Sequence, residues 1–278
     1  MDKIDLTFQK NPKETAYFLG FFWADGTINR EKYLLIEIVE NDANALEDIF
    51  KKVADFKISK RTREKRRPQI TFFIRDDEGS ETLRSLGKYP GTFENHNKIL
   101  NFIPDAYKIY FLRGLIDGDG CFYSGKINKK WKNNTIQFSI SSRYEQDWSG
   151  LLEYFQKLGF SPKVVKRIQK NGNKSSIIRL SKFSVIEKFV NVLYSVNDGI
   201  YLTRKYEKIK DALIEHKAHK KESENRRKKF EITFENGEKI LTNNLKAFAD
   251  ENKFCYECLS RAARKNKKYK NMTIRIVV

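Results

Sequence analysis

Only three of the 278 residues are cysteine, an odd number that supplies no disulfide framework. No run of about 18 apolar residues occurs, so no segment reads as a membrane-spanning helix. The N-terminus lacks the charged, then apolar, then small-residue order of a secretory signal. No Ser-His-Asp arrangement, P-loop or dinucleotide fingerprint is found. Acidic residues are also short: 36 Asp and Glu face 55 Lys and Arg, for a formal charge of +19 and a pI of about 9.6. A basic membrane-surface protein would carry such a charge, but with no apolar span or signal the expectation is a soluble, intracellular protein that is not secreted. Its natural partner is a polyanion. The length allows about two domains with full cores, or three small units.

What the chain does have is a repeat. Tyr17 to Gly26 reads YFLGFFWADG and Tyr110 to Gly120 reads YFLRGLIDGDG. Each copy carries a glycine, Gly20 or Gly114, followed four residues later by a small residue, Ala24 or Gly118. Positions i and i+4 share a helix face. A small-residue strip on an apolar helix lets a second backbone come close, and two copies point to each other as partners. Asp25 and Asp119 then fall at the negative pole of each helix, where a carboxylate is disfavoured. Parallel packing would bring the two like charges together. A hard divalent cation with oxygen ligands, magnesium (Mg2+) bound partly through a substrate phosphate, would resolve the conflict. The plainer alternative is two core helices whose Asp-Gly starts a turn.

At these residues the chain resembles the LAGLIDADG homing endonucleases. Asp25 and Asp119 match the motif's eighth position, where that family places its metal-binding catalytic carboxylates. The second copy, Leu112 to Gly120, fits closely, while the first, Phe18 to Gly26, has Trp23 where the motif has its first Asp. The resemblance covers roughly residues 12 to 215. It also implies a lysine near each site, matched by Lys98 in NHNKILNFIP and Lys205 in YLTRKYEKI, and a polar water-organising residue on the second strand of each half, matched by Glu37 and Ser139. Either lysine has the alternative reading of a surface residue at a helix start.

Each motif helix opens a similar succession of elements. Strand patterns at Thr27 to Arg30 and Tyr33 to Val39 lead to an amphipathic helix, Ala43 to Val53, with Asn41-Asp42 as its cap. Hairpin strands at Lys57 to Thr62 and Gln69 to Arg75 and a short helix at Ser80 to Leu86 follow. The order recurs as Cys121 to Gly125, Thr135 to Ser141, a helix at Gln146 to Leu158, strands at Lys163 to Ile168 and Ser176 to Leu180, and a helix at Lys182 to Tyr194. The expected fold class is α+β, with two pseudo-symmetric αββαββα subdomains, residues 1–104 and 105–215, whose sheets together form a DNA-binding saddle. Such sheets bury one face on helices and leave the other solvated.

Basic residues collect where strands turn. Arg61, Arg63, Lys65, Arg66 and Arg67 crowd one hairpin tip; Lys126, Lys129, Lys130 and Lys132 a second; Lys166, Arg167, Lys170 and Lys174 a third. Arg30 and Lys32, between the first two strands, join these candidate DNA contacts. β-Ribbons enter the major groove, where long side chains reach base edges and phosphates; a merely solvated charge run is the alternative at any single tip.

Residues 216–229 are almost all charged or polar and read as an exposed linker, or else as a helical extension. Residues 230–278 read as a C-terminal module. A hairpin at Phe230 to Phe234 and Lys239 to Leu241 turns at Asn236-Gly237. Helices follow at Leu245 to Glu251, capped by Thr242 or Asn243, and at Tyr256 to Lys265. Two short helices joined by the turn Asn252-Lys253, the second bearing Arg261, Arg264 and Lys265, form a helix-turn-helix pattern, resembling the small DNA-binding modules appended to phage homing endonucleases. Cys255 and Cys258, with His216 and His219, have the look of a zinc site, but the spacing inside one helix favours buried apolar cysteines. The expectation is a monomeric, Mg2+-dependent nuclease acting on double-stranded DNA, intron- or phage-encoded, working in a bacterial cytoplasm or nucleoid if phage-encoded, and needing no protein partner. An RNA maturase that assists intron splicing and a catalytically inactive DNA-binding protein are the alternatives.

Overall fold

The computed structural model describes residues 3–62, 67–89, 92–93, 96–125, 135–168, 172–225 and 229–277. Arg63, Arg66, Lys126, Lys129 and Lys130 lie outside the described residues. The chain divides into two compact units, Met1–Ile214 and Glu215–Val278.

The first unit begins with α1 (Pro12–Asp25), β1 (Gly26–Ile28), β2 (Tyr33–Val39), α2 (Glu40–Val53), β3 (Lys57–Arg61), β4 (Gln69–Arg75) and α3 (Asp77–Ser85). Two-residue strands β5 (Lys88–Tyr89) and β6 (Thr92–Phe93) and a short helix α4 (Asn97–Phe102) lead into the second half. There α5 (Lys108–Asp119), β7 (Gly120–Gly125), β8 (Thr135–Arg143), α6 (Ser149–Lys157), β9 (Lys163–Ile168), β10 (Lys174–Leu180) and α7 (Phe183–Leu193) repeat the order, and α8 (Thr203–Asn225) follows. Both sheets are antiparallel with matching strand orders, β1-β2-β4-β3 and β7-β8-β10-β9.

Period-two burial explains the sheets. Leu34, Ile36 and Ile38 of β2 and Ile70, Phe72 and Ile74 of β4 are buried, while the residues between them are half-buried or exposed. Helix α2 lays Ala43, Leu46, Ile49, Phe50 and Val53 on this apolar face, and Phe18 and Phe72 both pack against Phe50. In the second half Phe138, Phe155 and Phe189 form the equivalent cluster. Helix α2 starts at Glu40, with no side-chain cap from Asn41 or Asp42. Helix α3 is capped by the buried Asp76, which accepts from the Gly79 and Ile4 amides.

Helices α1 and α5 run parallel and touch backbone to backbone. A Cβ built on Gly20 would collide with the Phe111 carbonyl, one on Gly114 with the Tyr17 carbonyl, and one on Gly118 with the Ala24 Cβ. Arg113, the second residue of its motif, points the other way and is fully buried. It donates to the Leu193 and Val196 carbonyls at 2.6 and 3.0 Å and pairs with Asp198 at 2.9 Å. A cation thus meets the carbonyl-rich end of α7, where the helix dipole favours it.

The segment read as a linker is instead helical as far as Asn225, the end of α8. From Lys217 it contains no glycine or proline, so nothing there stops a helix. The second unit is also more than a hairpin with two helices. After β11 (Lys229–Phe234), β12 (Lys239–Thr242), α9 (Leu245–Glu251) and α10 (Tyr256–Lys265), the chain adds β13 (Lys268–Tyr269) and β14 (Met272–Val277), giving a sheet in the order β12-β11-β14-β13. Ile232, Leu245, Phe248, Leu259, Met272 and Ile274 form its own core. Asn244, not Thr242 or Asn243, caps α9 through the Ala247 amide. Cys255 is exposed and Cys258 half-buried, because only Leu259, Ala262 and Ala263 of α10 face the core; the expectation of buried cysteines is therefore corrected.

Because Gly114 meets main chain, which cannot swing aside like a flexible side chain, Gly114→Ala is expected to destabilise the protein by about 3 kcal/mol, the upper part of the usual overpacking range. Urea titration measures this, and a variant within 1 kcal/mol of the parent would contradict the backbone contact.

Candidate active site

Asp25 and Asp119 are the last residues of α1 and α5, so the parallel contact of those helices delivers both carboxylates to one place. Each helix ends because the following glycine, Gly26 or Gly120, is extended, its amide still donating to Phe22 or Ile116. Solvent reaches both carboxylates, but the helix ends around them remove much of their hydration. Burial raises the Asp25 carboxyl above its ordinary range. Burial, and then the charge of Asp25, push Asp119 up to about 6.

Two lysines oppose that strain, each at the carbonyl end of a motif helix. Lys205 donates to the Ile116, Gly118 and Gly120 carbonyls at 3.2, 3.2 and 3.0 Å. Lys88 donates to the Trp23 carbonyl at 2.8 Å and is 2% exposed. Burial lowers the Lys88 ammonium to about 8, against the upward pull of Asp119 and Asp25. Lys205 is likewise lowered, by burial first.

The structure thus brings together Asp25, Asp119 and Lys205 as the sequence implied, but not Lys98. Lys98 is exposed on α4, and the cations acting on the carboxylate pair are Lys88 and Lys205. Lys88 escaped the sequence reading because it occupies a two-residue strand with no periodic pattern around it. Glu37 and Ser139, expected to organise water in the two halves, do not occupy equivalent positions. Since Gly26 pairs with Ile36 and Gly120 with Ile140, the register matches Glu37 with Ser141 and Ser139 with Leu35.

The two halves differ at the motif's sixth position. Asp117 is buried and accepts from Tyr17 Oη at 2.8 Å and from the Leu202 amide just before α8 at 2.7 Å; burial pushes its carboxyl up to about 6. Trp23, its counterpart, contacts His96, whose ring stacks on Trp148 with centroids 6.1 Å apart and planes 7° apart. A cavity of about 10 Å³, the size of one water, is lined by these three rings together with Asp119, Ser141 and Gln146. Trp23 Nε1 and His96 Nδ1 are buried polar atoms without a hydrogen bond among the described residues.

The expected DNA contacts fall into groups. Arg30, Arg61, Arg67, Arg167, Arg261 and Arg264 are exposed. Lys32 is tied to Glu81 at 2.6 Å. Lys166 and Lys174 are exposed but lie over the Tyr144 ring. They stand on the helix side of the sheet, since Lys166 pairs with the fully buried Ser176 and Lys174 with Ile168. Arg167, on the other side, takes the place expected of them.

A family profile described as the WhiA LAGLIDADG-like domain matches residues 14–100, and one described as a LAGLIDADG-like domain matches residues 106–194. The chain carries two LAGLIDADG-like domains. Their fold is that of several solved proteins. The I-LtrWI LAGLIDADG homing endonuclease bound to target DNA aligns with a TM-score of 0.52 at 13% identity, over 76% of this chain and 92% of that one. The LAGLIDADG meganuclease I-AabMI bound to uncleaved DNA gives 0.51 at 16%, over the same shares. The I-SmaMI LAGLIDADG homing endonuclease bound to cleaved DNA gives 0.51 at 14%, over 75% and 90%. No curated protein matches the chain. No helix among the described residues is long and apolar enough to cross a membrane.

One consequence for the LAGLIDADG-like domains is an acid-sensitive interface. Burial lowers His96 to about 4, whereas an imidazole in the unfolded chain titrates near 6.5. Between those values the unfolded chain binds a proton that the folded chain refuses, so stability falls as pH drops from about 6.5 to 4. At about 1.4 kcal/mol per pKa unit the loss reaches roughly 3 kcal/mol. His96→Gln is expected to flatten that acid limb in urea titrations between pH 7 and 4.5; a slope equal to the parent's would rule His96 out as its source.

Proposed function

We propose that the protein is a site-specific endonuclease of the homing type that hydrolyses phosphodiester bonds of double-stranded DNA. The observation that carries this reading is the meeting of Asp25 and Asp119 at the joined ends of two helices, opposed by the buried Lys88 and the half-buried Lys205. Two hard oxygen donors, each raised in pKa by burial, suit a divalent cation such as magnesium, and Asp25 and Asp119 would hold it. When bound, it would activate water and stabilise charge on the reacting phosphate.

The protein's own groups supply the rest. Asp25 and Asp119 are assigned one to each DNA strand. Lys88 and Lys205, fixed by carbonyls, place positive charge where a scissile phosphate would enter, without reorganising during reaction. With its ammonium lowered to about 8, Lys88 stays mostly charged at neutral pH. The solvated sheet faces, with Lys57, Arg61, Lys163 and Arg167 on their outer strands, would lie along the duplex. The second unit would extend the recognised sequence through α10, whose Arg261 and Arg264 are exposed opposite its core residues. A second reading, a DNA-binding protein that does not cut, draws on the match of residues 14–100 to the WhiA LAGLIDADG-like domain.

The test starts by selecting bound duplexes from a randomised library with calcium present, then adding magnesium and mapping both strands. Cleavage at one fixed position within the selected site is expected; specific binding without any cleavage would favour the second reading. Asp119→Asn should abolish cleavage and leave affinity equal or higher, because a carboxylate near phosphates repels them when no cation intervenes. Lys88→Met should slow cleavage on the order of 10²-fold, while Lys98→Met leaves the rate unchanged; the reverse pattern would refute the assignment of Lys88. Replacing both Arg261 and Arg264 by alanine should shorten the footprint at one end and reduce the logarithmic salt slope by about 2.

A further inference from the structure

The register of the two halves shows that their solvated sheet faces are chemically unlike. Cross-strand pairing makes Leu35 equivalent to Ser139, because they oppose Thr27 and Cys121, two residues beyond Asp25 and Asp119. By the same pairing Phe73 corresponds to Arg179, each opposite that residue on the neighbouring strand. Val39 corresponds to Arg143 at the far end, opposite Gln69 and Ser175. At all three positions the first half is apolar and the second polar or cationic. Tyr33 adds to the apolar set: its ring packs on Phe73 at 6.2 Å, while its counterpart is Gln137. Thr71 and Ile177 run the other way; the first face also carries Glu37, whose counterpart is Ser141, and Arg75, which is held by Asp77 at 3.2 Å.

The outer strands, by contrast, repeat. Lys57 and Arg61 of β3 correspond to Lys163 and Arg167 of β9, and all four are exposed. Matching cations at the rim serve the sequence-independent phosphate backbone equally on both sides. Only the position between those cations differs, Ser59 against Val165, and the contrast at the four positions above lies on the two middle strands of each sheet, β2 and β4 against β8 and β10.

Resting on the DNA-cleaving reading above, we infer that the two sheets read different base chemistry: residues 26–75 contact thymine methyl groups, and residues 120–180 read guanine through Arg143 and Arg179. The physical basis is direct. A half-buried aromatic and aliphatic patch gains nothing from a base edge bearing only donors and acceptors, but it gains from the C5-methyl of thymine, the one apolar group in the major groove. An arginine offers the paired donors that suit guanine O6 and N7. The site bound by the protein should therefore be non-palindromic, with one half rich in A·T pairs and the other marked by guanines, despite the near-symmetry of the fold.

The test uses the full-length protein and the duplex it selects. Replacing thymine by deoxyuridine removes the methyl group and nothing else. In one half-site this should weaken binding about threefold to fourfold per contacted methyl; in the other the change should stay within twofold. Replacing guanine by 7-deazaguanine, which lacks N7, should show the opposite pattern. The variant Phe73→Arg identifies the halves, because repeated selection should show guanine replacing an A·T pair in the uracil-sensitive half alone. Equal responses of both half-sites to uracil, or a Phe73→Arg change falling in the uracil-insensitive half, would overturn the inference while leaving the nuclease reading intact. Failure to select any specific duplex would remove both.

Discussion

The arrangement depends on one contact, the approach of α1 and α5 so close that main chain meets main chain. Gly20 and Gly114 each face a carbonyl of the opposite helix, which no residue with a side chain permits. Packing between backbones has little freedom to slide or tilt, because displacement opens a gap or produces a clash on a scale of fractions of an ångström. The contact therefore fixes three things together: how the two sheets are set, where the helices stop, and how near the terminal carboxylates come. A looser, side-chain-mediated interface would fix the first only approximately and the last hardly at all.

That closeness produces an electrostatic problem, and the surrounding residues answer it. Two helix ends with their dipoles aligned place exposed carbonyls and two carboxylates side by side. Lys205 and Lys88 take up the carbonyls, and their charges act on both carboxylates. Both lysines donate to main-chain carbonyls, and solvent still reaches both carboxylates, so a further cation can approach them. An arrangement built for stability alone would have enclosed its ion pairs. Arg113 shows that the same helix can do so, since its guanidinium is consumed by Asp198 and two carbonyls on the side away from the site.

Much of this was legible in the sequence because repetition is a strong signal. The glycine strip, the Asp-Gly ends and the period-two strands recur at nearly constant spacing, and the strands at Tyr33 to Val39 and Lys163 to Ile168 fall where alternation and β-branching place them. What escaped was whatever lacks local pattern. Lys88 reaches the site from a two-residue strand, so only tertiary structure identifies it. Strands β13 and β14 follow a basic, polar stretch, and β11, the long-range partner of β14, lies some forty residues earlier, a pairing that local propensity does not encode. The facing of Lys166 and Lys174 depended on register, where a shift by one residue moves a side chain to the opposite side of the sheet.

The exchange of Asp117 for Trp23 shows how a repeated fold becomes asymmetric without losing its frame. In the second half the carboxylate of Asp117 accepts the Leu202 amide and so ties α5 to the start of α8, the element that carries Lys205. The first half has no acid at this place. Trp23 packs instead, tilted, against His96, which stacks on Trp148 of the second half, and the lysine arrives from a different element. Hydrogen bonding positions one lysine and aromatic packing surrounds the other, so the two carboxylates sit in unequal environments, with Asp119 bordering the aromatic cavity. The two carboxylates are thus equivalent in the backbone order and inequivalent in the side chains that surround them, a difference that the repeat alone would not predict.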